Sequence, residues 1–153
     1  MKAIKILLSL AVVAGIMMTS CKKTDDAEPA VIKKATVTGL AYADLDLTEA
    51  GIEYAPAGTK IIAWVSTEDL YLEADPTATY PKKYYETTVG GDGKYSFSIE
   101  VGNNPVKVTV APGDFWYNQK IAADEYKEKA YTMGAVSINV FQGQTKILDI
   151  SFL

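Results

Sequence analysis

The sequence contains no histidine, no arginine and one cysteine, and each shortage excludes a class of chemistry. Without histidine there is no imidazole general base, no Ser-His-Asp triad and no imidazole metal ligand. A single cysteine cannot form an internal disulfide or a thiolate cluster. Without a guanidinium group the chain lacks bidentate phosphate recognition, and the formal net charge of −4 also argues against nucleic acid. We therefore expect no cofactor and no nucleic-acid partner.

The first 20 residues have the pattern of a secretory signal peptide. Lys2 and Lys5 supply the positive start, and residues 6–18 form an apolar run that only Ser9 and Gly15 interrupt. This run is short for a membrane span, which needs about 20 apolar residues. A signal peptide is therefore predicted for residues 1–20, with an uncleaved anchor helix as the alternative.

The cysteine follows this apolar run directly. Small residues at positions 19–20 before Cys21 resemble the lipobox of bacterial lipoproteins, although Met18 stands where leucine is commoner. The resemblance implies that Cys21 begins the mature chain and carries a lipid. Each CH₂ of an acyl chain buried in a membrane contributes about 0.8 kcal/mol to membrane binding. Residues 21–34 would then be the lipidated cysteine and a polar tether. The expected location is the bacterial cell envelope, with the protein lipid-anchored to the outer membrane. Residues 22–26 (Lys-Lys-Thr-Asp-Asp) resemble an acidic signal for surface display, although a solvated linker has the same composition.

From residue 35 onward, apolar and polar residues alternate with period two between turn residues, which predicts strands. Two hairpins are predicted. One joins residues 84–89 to 94–101, where Gly-Gly and Asp-Gly supply the positive φ of a tight turn, and the other joins 131–141 to 145–152 around the Gln-Gly-Gln at 142–144. Six or seven short strands and no convincing helix predict an all-β fold, a single antiparallel β-sandwich of about seven strands spanning residues 35–153.

Two segments are harder to interpret. Residues 60–66 are apolar on both faces, which predicts a central strand covered on both sides, with Trp64 in the core. Residues 115–130 are predicted as a long connection, in which Glu125 and Lys129 at i,i+4 support a short helical turn.

An ordered series of motifs resembles the carboxypeptidase regulatory-like and transthyretin-like (prealbumin-like) β-sandwich domains of bacterial surface proteins. The series consists of residues 36–39 (Thr-Val-Thr-Gly), 56–60 (Pro-Ala-Gly-Thr-Lys), 92–98 (Asp-Gly-Lys-Tyr-Ser-Phe-Ser) and the valine-rich 106–110. It covers residues 35–110. The resemblance implies a transthyretin-like or Ig-like sandwich with an accessory or stalk role, and it brings no shared catalytic residues.

Carboxylates are the remaining candidates for catalysis or metal binding. Two loops carry acidic clusters, but neither has the D-x-D-x-D-G spacing of a calcium loop, so no metal site is predicted. The clusters are Asp44, Asp46 and Glu49, and Glu68, Asp69, Glu73 and Asp75. A nucleophilic serine would need a lysine base; the one S-x-x-K of the sequence, residues 20–23, straddles the predicted cleavage before Cys21, so the predicted mature chain has none. We therefore expect no enzymatic activity and no catalytic residue.

The aromatic residues are the most informative set. Phe115, Trp116 and Tyr117 follow a Pro-Gly-Asp turn and precede Asn118. Aromatic rings beside amide side chains are typical of sugar recognition, because a pyranose offers an apolar face and a rim of hydroxyls. These four residues are the predicted ligand-binding residues; the alternative is that the rings plug the open end of the sandwich.

Two functions follow from this interpretation. The first is a non-catalytic, membrane-anchored lipoprotein that acts as a binding or accessory module for a glycan or an envelope protein. The alternative is a structural spacer or subunit of a surface assembly, such as a pilus-like fibre or transport complex, with no small-molecule ligand. An exposed aromatic patch would favour the first, and an unpaired edge strand ready for strand addition would favour the second.

Overall fold

The computed structural model describes residues 33–71 and 73–153, which form an all-β sandwich. This confirms the fold class predicted from the sequence. The described part of the chain contains ten strands and one 3₁₀ helix, Thr67–Leu70. The strands are β1 (Lys33–Tyr42), β2 (Lys60–Ser66), β3 (Lys82–Thr88), β4 (Lys94–Val101), β5 (Val106–Pro112), β6 (Phe115–Ala122), β7 (Glu125–Tyr131), β8 (Val136–Val140), β9 (Thr145–Ile147) and β10 (Ile150–Ser151).

The first strand begins at Lys33, so Lys33 and Lys34, assigned above to the tether, belong to the sandwich. The predicted signal peptide at residues 1–20 and the predicted lipidation site Cys21 lie outside the described residues. Between residues 33 and 153, position 72 aside, the structure has no helix long and apolar enough to cross a membrane.

The first sheet is built around β1. Strand β4 pairs antiparallel with one edge of β1, and β9 and β10 pair in parallel with successive segments of the other edge. Between these segments the Leu148 N–H donates to the Thr38 carbonyl over 2.8 Å, and the Leu40 N–H donates to the Asp149 carboxylate over 2.8 Å. The parallel pairings are a departure from the purely antiparallel sandwich that the sequence predicts.

The second sheet has the order β3-β2-β5-β8, and all its neighbours are antiparallel. Alternate residues of each strand face the first sheet, as the period-two pattern requires. The core between the sheets is aliphatic on the second sheet and partly aromatic on the first. Its fully buried residues include Ile61, Ala63 and Val65 of β2, Tyr95, Phe97 and Ile99 of β4, and Val106, Val108 and Val110 of β5.

Both predicted hairpins are wrong, although their turns exist. Gly93 and Gly143 have the expected positive φ, at 75° and 71°. However, β3 pairs with β2 while β4 pairs with β1, and β8 pairs with β5 while β9 pairs with β1. Each turn therefore carries the chain from one sheet to the other, because the turn chemistry reverses the chain without selecting its partner.

The segment predicted as a long connection is instead a two-stranded sheet. Strands β6 and β7 pair antiparallel with each other, and Glu125 and Lys129 lie in β7 rather than in a helical turn. The two-residue turn includes Asp124 with a φ of 61°, a conformation that aspartate tolerates better than most residues. Together with the division of the last segment into β9 and β10, this hairpin raises the strand count above seven.

Trp64 is not in the core, contrary to the prediction. In β2 the buried residues are Ile61, Ala63 and Val65, so Ile62 and Trp64 are half-buried on the opposite, outward face of the second sheet. Strand β2 is therefore central in its sheet, as predicted, but only its inward face is fully buried.

Candidate functional site

The β6–β7 hairpin carries the predicted ligand-binding residues. Its register pairs Trp116 with Ala130, Asn118 with Glu128 and Lys120 with Tyr126. Because side chains alternate along a strand and cross-strand partners share a face, these six residues lie on one face of the hairpin. Trp116 and Tyr126 stand at opposite ends of that face, about 13 Å apart along the strands at ~3.3 Å per residue.

The opposite face anchors the hairpin to the sandwich. The Phe115 ring stacks on the Tyr131 ring with centroids 5.0 Å apart, and it meets the Phe152 ring edge-on at 4.9 Å. The Gln119 amide, which is buried, donates to the Asp44 carbonyl over 2.8 Å, and the Tyr131 hydroxyl donates to the same carbonyl. Phe115 is therefore a packing residue and not a ligand-binding residue as predicted, because its ring lies on the face opposite Trp116.

Aromatic rings on the hairpin are unusually exposed. The exposed fraction is 69% for Trp116, 62% for Tyr126 and 41% for Tyr117. Trp116, Asn118 and Tyr126 line an open concave surface of about 660 Å³, which we call the aromatic groove; Tyr117 also borders it, although strand alternation places its side chain on the opposite face of β6. Tyr126 was missed by the sequence analysis. The signal that could have found it is the alternation of Tyr126, Glu128 and Ala130, which is that of a strand.

One end of the aromatic groove is charged. A second concavity of about 310 Å³ adjoins it, sharing Tyr117, Asn118 and Tyr126, and includes Asp46, Glu53 and Lys120. The Lys120 ammonium donates to the Asp46 carboxylate over 3.1 Å, and the backbone of Lys120 pairs with the loop on both sides of Asp46. This ion pair thus fixes the loop after β1 to the edge of β6.

The same contacts shift the pKa values of the pair. Hydrogen bonds from Thr48, followed by those of Lys120, hold the pKa of the Asp46 carboxyl below its ordinary value. The hydrogen bond to Asp46 raises the pKa of Lys120. The Glu53 carboxylate fixes the base of the loop, because it accepts the backbone N–H groups of Leu45 and, over 2.8 Å, Asp46. Asp46 and Lys120 therefore neutralise each other, with both ions formed at neutral pH.

The chemistry of the aromatic groove is that of binding. Exposed tryptophan and tyrosine offer flat apolar faces together with a polar edge, and the amide of Asn118 offers both donors and an acceptor. Within the described residues no group of three or more Asp, Glu, Cys or His side chains could hold a metal ion. Members of the acidic loops are engaged locally: Asp46 binds Lys120, and Asp75 accepts from Thr77.

Comparisons with known proteins give a structural likeness but no family. No family model matches the chain, and no curated protein matches it. The chain is similar to a crystal structure described as that of "a putative carbohydrate binding protein" from Pseudomonas aeruginosa, with 12% sequence identity over 78% of this chain and 89% of that chain. The TM-score is 0.45, and a likeness at this level does not bear on function.

Proposed function

We propose that the protein is a non-catalytic lipoprotein of the bacterial cell envelope whose aromatic groove binds a glycan. The observation that carries the proposal is the exposure of Trp116, Tyr126 and Tyr117 around one open groove. Leaving several large rings in water forgoes the free energy of burying them, and such patches mark binding surfaces.

The rigid attachment of the hairpin that carries the rings supports a binding role. The aromatic groove stands on paired strands, and Phe115, Gln119 and Tyr131 tie the hairpin to the sandwich. A preorganised surface loses little conformational entropy when a ligand binds. Because Trp116 and Tyr126 are about 13 Å apart along the strands, a single sugar ring cannot stack on both. An oligosaccharide therefore fits the groove better than a monosaccharide.

The polar groups of the aromatic groove favour a sugar over a purely apolar ligand. Asn118 and Glu128 face each other between the two end rings. Sugar hydroxyls donate and accept hydrogen bonds, which an amide beside a carboxylate can satisfy together. The absence of histidine from the sequence, and of an S-x-x-K motif from Cys21 onward, supports a non-catalytic role.

The membrane anchor belongs to the same proposal and rests on the sequence. Residues 1–20 have signal-peptide character, and Cys21 follows small residues in the manner of a lipobox. An acylated Cys21 would hold the sandwich at the outer membrane through residues 22–32. The motifs between residues 36 and 110 support an accessory module that resembles transthyretin-like and carboxypeptidase regulatory-like domains.

The test is binding of the full chain, purified in a neutral detergent, to an array of immobilised neutral oligosaccharides. Trp116→Ala should weaken binding at least about tenfold, because truncating an aromatic anchor commonly costs about 2 kcal/mol or more. Its free energy of unfolding should change by less than about 1 kcal/mol, as for exposed substitutions. Tyr71→Ala is the matched control, because Tyr71 is 58% exposed and does not line the groove.

Two results would contradict the proposal. The first is a Trp116→Ala variant that loses several kcal/mol of stability, in which case the ring is structural. Alternatively, the chain binds no glycan and instead polymerises through the outer edge of β9, where Ile147 is 70% exposed. That second result would support a subunit of a surface assembly.

A further inference from the structure

The outward face of the second sheet is a second surface with binding character, separate from the aromatic groove. The strand register places one outward residue of each strand in a continuous row. The row consists of Tyr84 on β3, Trp64 on β2, Thr109 on β5 and Ser137 on β8. Four strands at about 4.8 Å spacing make this row about 14 Å long. We call this surface the outer sheet face.

Two aromatic rings lie at one end of the row. The ring centroids of Trp64 and Tyr84 are 6.1 Å apart at an interplanar angle of 44°. Tyr84 is 61% exposed and Trp64 is half-buried. The Lys82 ammonium lies over the Trp64 ring, 5.1 Å from its centroid. The outer sheet face therefore combines aromatic surface with a positive charge.

The polar end of the row is rich in hydroxyl and amide groups. Thr109 and Ser137 share a hydrogen bond of 2.9 Å between their hydroxyls. Asn139 follows Ser137 on the same side of β8, and it pairs in register with Lys107 of β5. Each hydroxyl keeps acceptor capacity beyond this bond.

The charge of the outer sheet face is opposite to that of the chain. Lys60, Lys82 and Lys107 point outward, against one outward carboxylate, Glu86. Lys60 pairs with Glu86 at 3.3 Å, whereas neither Lys82 nor Lys107 forms an ion pair within residues 33–71 and 73–153. The carboxylate of Asp69 accepts the backbone N–H of Lys107. In a chain with a formal net charge of −4, two lysines without an ion-pair partner on an aromatic face are a local basic surface.

We propose that the outer sheet face binds an acidic polysaccharide, a glycan chain that carries carboxylates. Lys82 and Lys107 stand on the strands that flank β2, about 10 Å apart at two strand spacings, so they can contact carboxylates on different sugar units. The exposed Tyr84 ring supplies the stacking surface, and the half-buried Trp64 supports both Tyr84 and the Lys82 ammonium. Thr109, Ser137 and Asn139 supply partners for hydroxyl groups. An anionic glycan suits the outer sheet face better than the aromatic groove, because the lysine at the aromatic groove, Lys120, is already paired with Asp46.

Affinity electrophoresis of the full chain tests the proposal with a matched pair of polymers. Polygalacturonate presents a carboxylate on every unit, and its fully methyl-esterified form has the same backbone without charge. We expect polygalacturonate to retard the chain, the ester to retard it far less, and added NaCl to weaken the retardation through screening. The double variant Lys82→Gln/Lys107→Gln and the single variant Tyr84→Ala should each bind at least about tenfold more weakly, the loss that 1.4 kcal/mol of contact energy produces.

Controls separate this surface from general charge and from the aromatic groove. Lys34→Gln/Lys127→Gln removes the same charge elsewhere on exposed strand positions and should bind polygalacturonate like the parent chain. Trp116→Ala should also bind it normally, so failure of one proposal is distinguishable from failure of the other. Equal retardation by the two polymers, or an undiminished Lys82→Gln/Lys107→Gln variant, would overturn the proposal. So would binding to anionic phospholipid vesicles without binding to polygalacturonate, which would indicate a lipid-facing surface.

Discussion

At the residue scale, neighbours in the fold decide which aromatic side chains are structural. Phe115 and Trp116 are adjacent in sequence, yet Phe115 packs between Tyr131 and Phe152 while Trp116 is 69% exposed. Strand alternation separates them, because successive side chains point to opposite faces. Trp64 shows the same effect beside buried Ala63 and Val65. Aromatic content therefore identifies candidates for binding, and the facing of each strand selects among them.

Gly39 is a residue whose small size the first sheet requires. A Cβ added there would lie 1.9 Å from the Leu148 carbonyl oxygen, so the backbone between β9 and β10 would have to move away from β1. Gly39→Ala should therefore lower the free energy of unfolding by about 1–3 kcal/mol or more, as overpacking does. Chemical denaturation of the full chain measures this.

The control for that prediction is Gly51→Ala, because a Cβ at Gly51 meets nothing within 4 Å. Its free energy of unfolding should stay within about 0.5 kcal/mol of the parent. If both variants are equally stable, β9 and β10 do not approach β1 as closely as the structure indicates.

At the element scale, the β6–β7 hairpin is a ribbon held by a few contacts rather than a strand pair within a larger sheet. It pairs with itself, and Phe115, Gln119 and the Asp46–Lys120 ion pair attach it to the rest. Two-stranded hairpins are marginally stable alone. The geometry of the aromatic groove thus depends on residues that lie outside it.

Asp46 makes this attachment dependent on pH, because hydrogen bonds from Thr48, and after them the contact with Lys120, lower the pKa of its carboxyl. Because the pKa of Asp46 is lowered in the folded state, the ionised carboxylate stabilises the fold above the unfolded pKa of about 3.9. This contribution is lost as pH falls through the lower folded pKa. Asp46→Asn should therefore be less stable than the parent at neutral pH, and the difference should shrink below about pH 4. Denaturant unfolding at a series of pH values measures it.

Asp124→Asn is a suitable control for the pH series. Asp124 forms no ion pair with the described residues, and asparagine tolerates its positive φ. It should leave stability at neutral pH within about 0.5 kcal/mol of the parent. A stability difference for Asp46→Asn that stays constant down to pH 2 would exclude a role for the carboxylate charge.

At the scale of the whole molecule, the two proposed surfaces belong to different parts of the sandwich. The aromatic groove is on the β6–β7 hairpin, and the outer sheet face is on the second sheet. Each is built from exposed side chains on paired strands, so both can change without disturbing the core. This arrangement suits a module in which the sandwich serves as the support and its surface carries the function.

Membrane attachment is the prediction at this scale. Cys21→Ser in the full chain should move the protein from the membrane fraction to the soluble fraction, because the proposed lipid has no other site. The far-UV circular dichroism spectrum should stay that of a β protein, since the sandwich begins at Lys33. Cell fractionation and mass spectrometry of the mature N-terminus measure the two effects.

The matched control is Ser9→Ala, which changes the predicted signal peptide without removing the acylated residue. An unacylated Cys21 in the cellular protein, or a Cys21→Ser variant that stays with the membrane, would contradict the lipoprotein assignment.

The local pattern of the sequence was sufficient for the fold class and for much of the core. Alternation in residues 94–101 and 106–110 predicted strands, and Phe97, Ile99 and Val108 are buried. Turn chemistry placed reversals at Gly93 and Gly143, where φ is positive. These features depend on neighbours along the chain, so sequence alone determines them. For the candidate binding site, the sequence indicated Trp116, Tyr117 and Asn118, and the structure places all three around one groove.

Only the tertiary structure decided which strands pair and which faces are covered. The reversal at Gly93 is compatible with a hairpin or with a change of sheet, and the choice depends on β1 and β2, which are distant in sequence. The same holds for Phe115, Trp64 and Tyr126, whose exposure depends on what lies opposite their strand. Strand partners and burial arise from contacts between remote segments. Period-two alternation describes one strand at a time, so it cannot predict either of them.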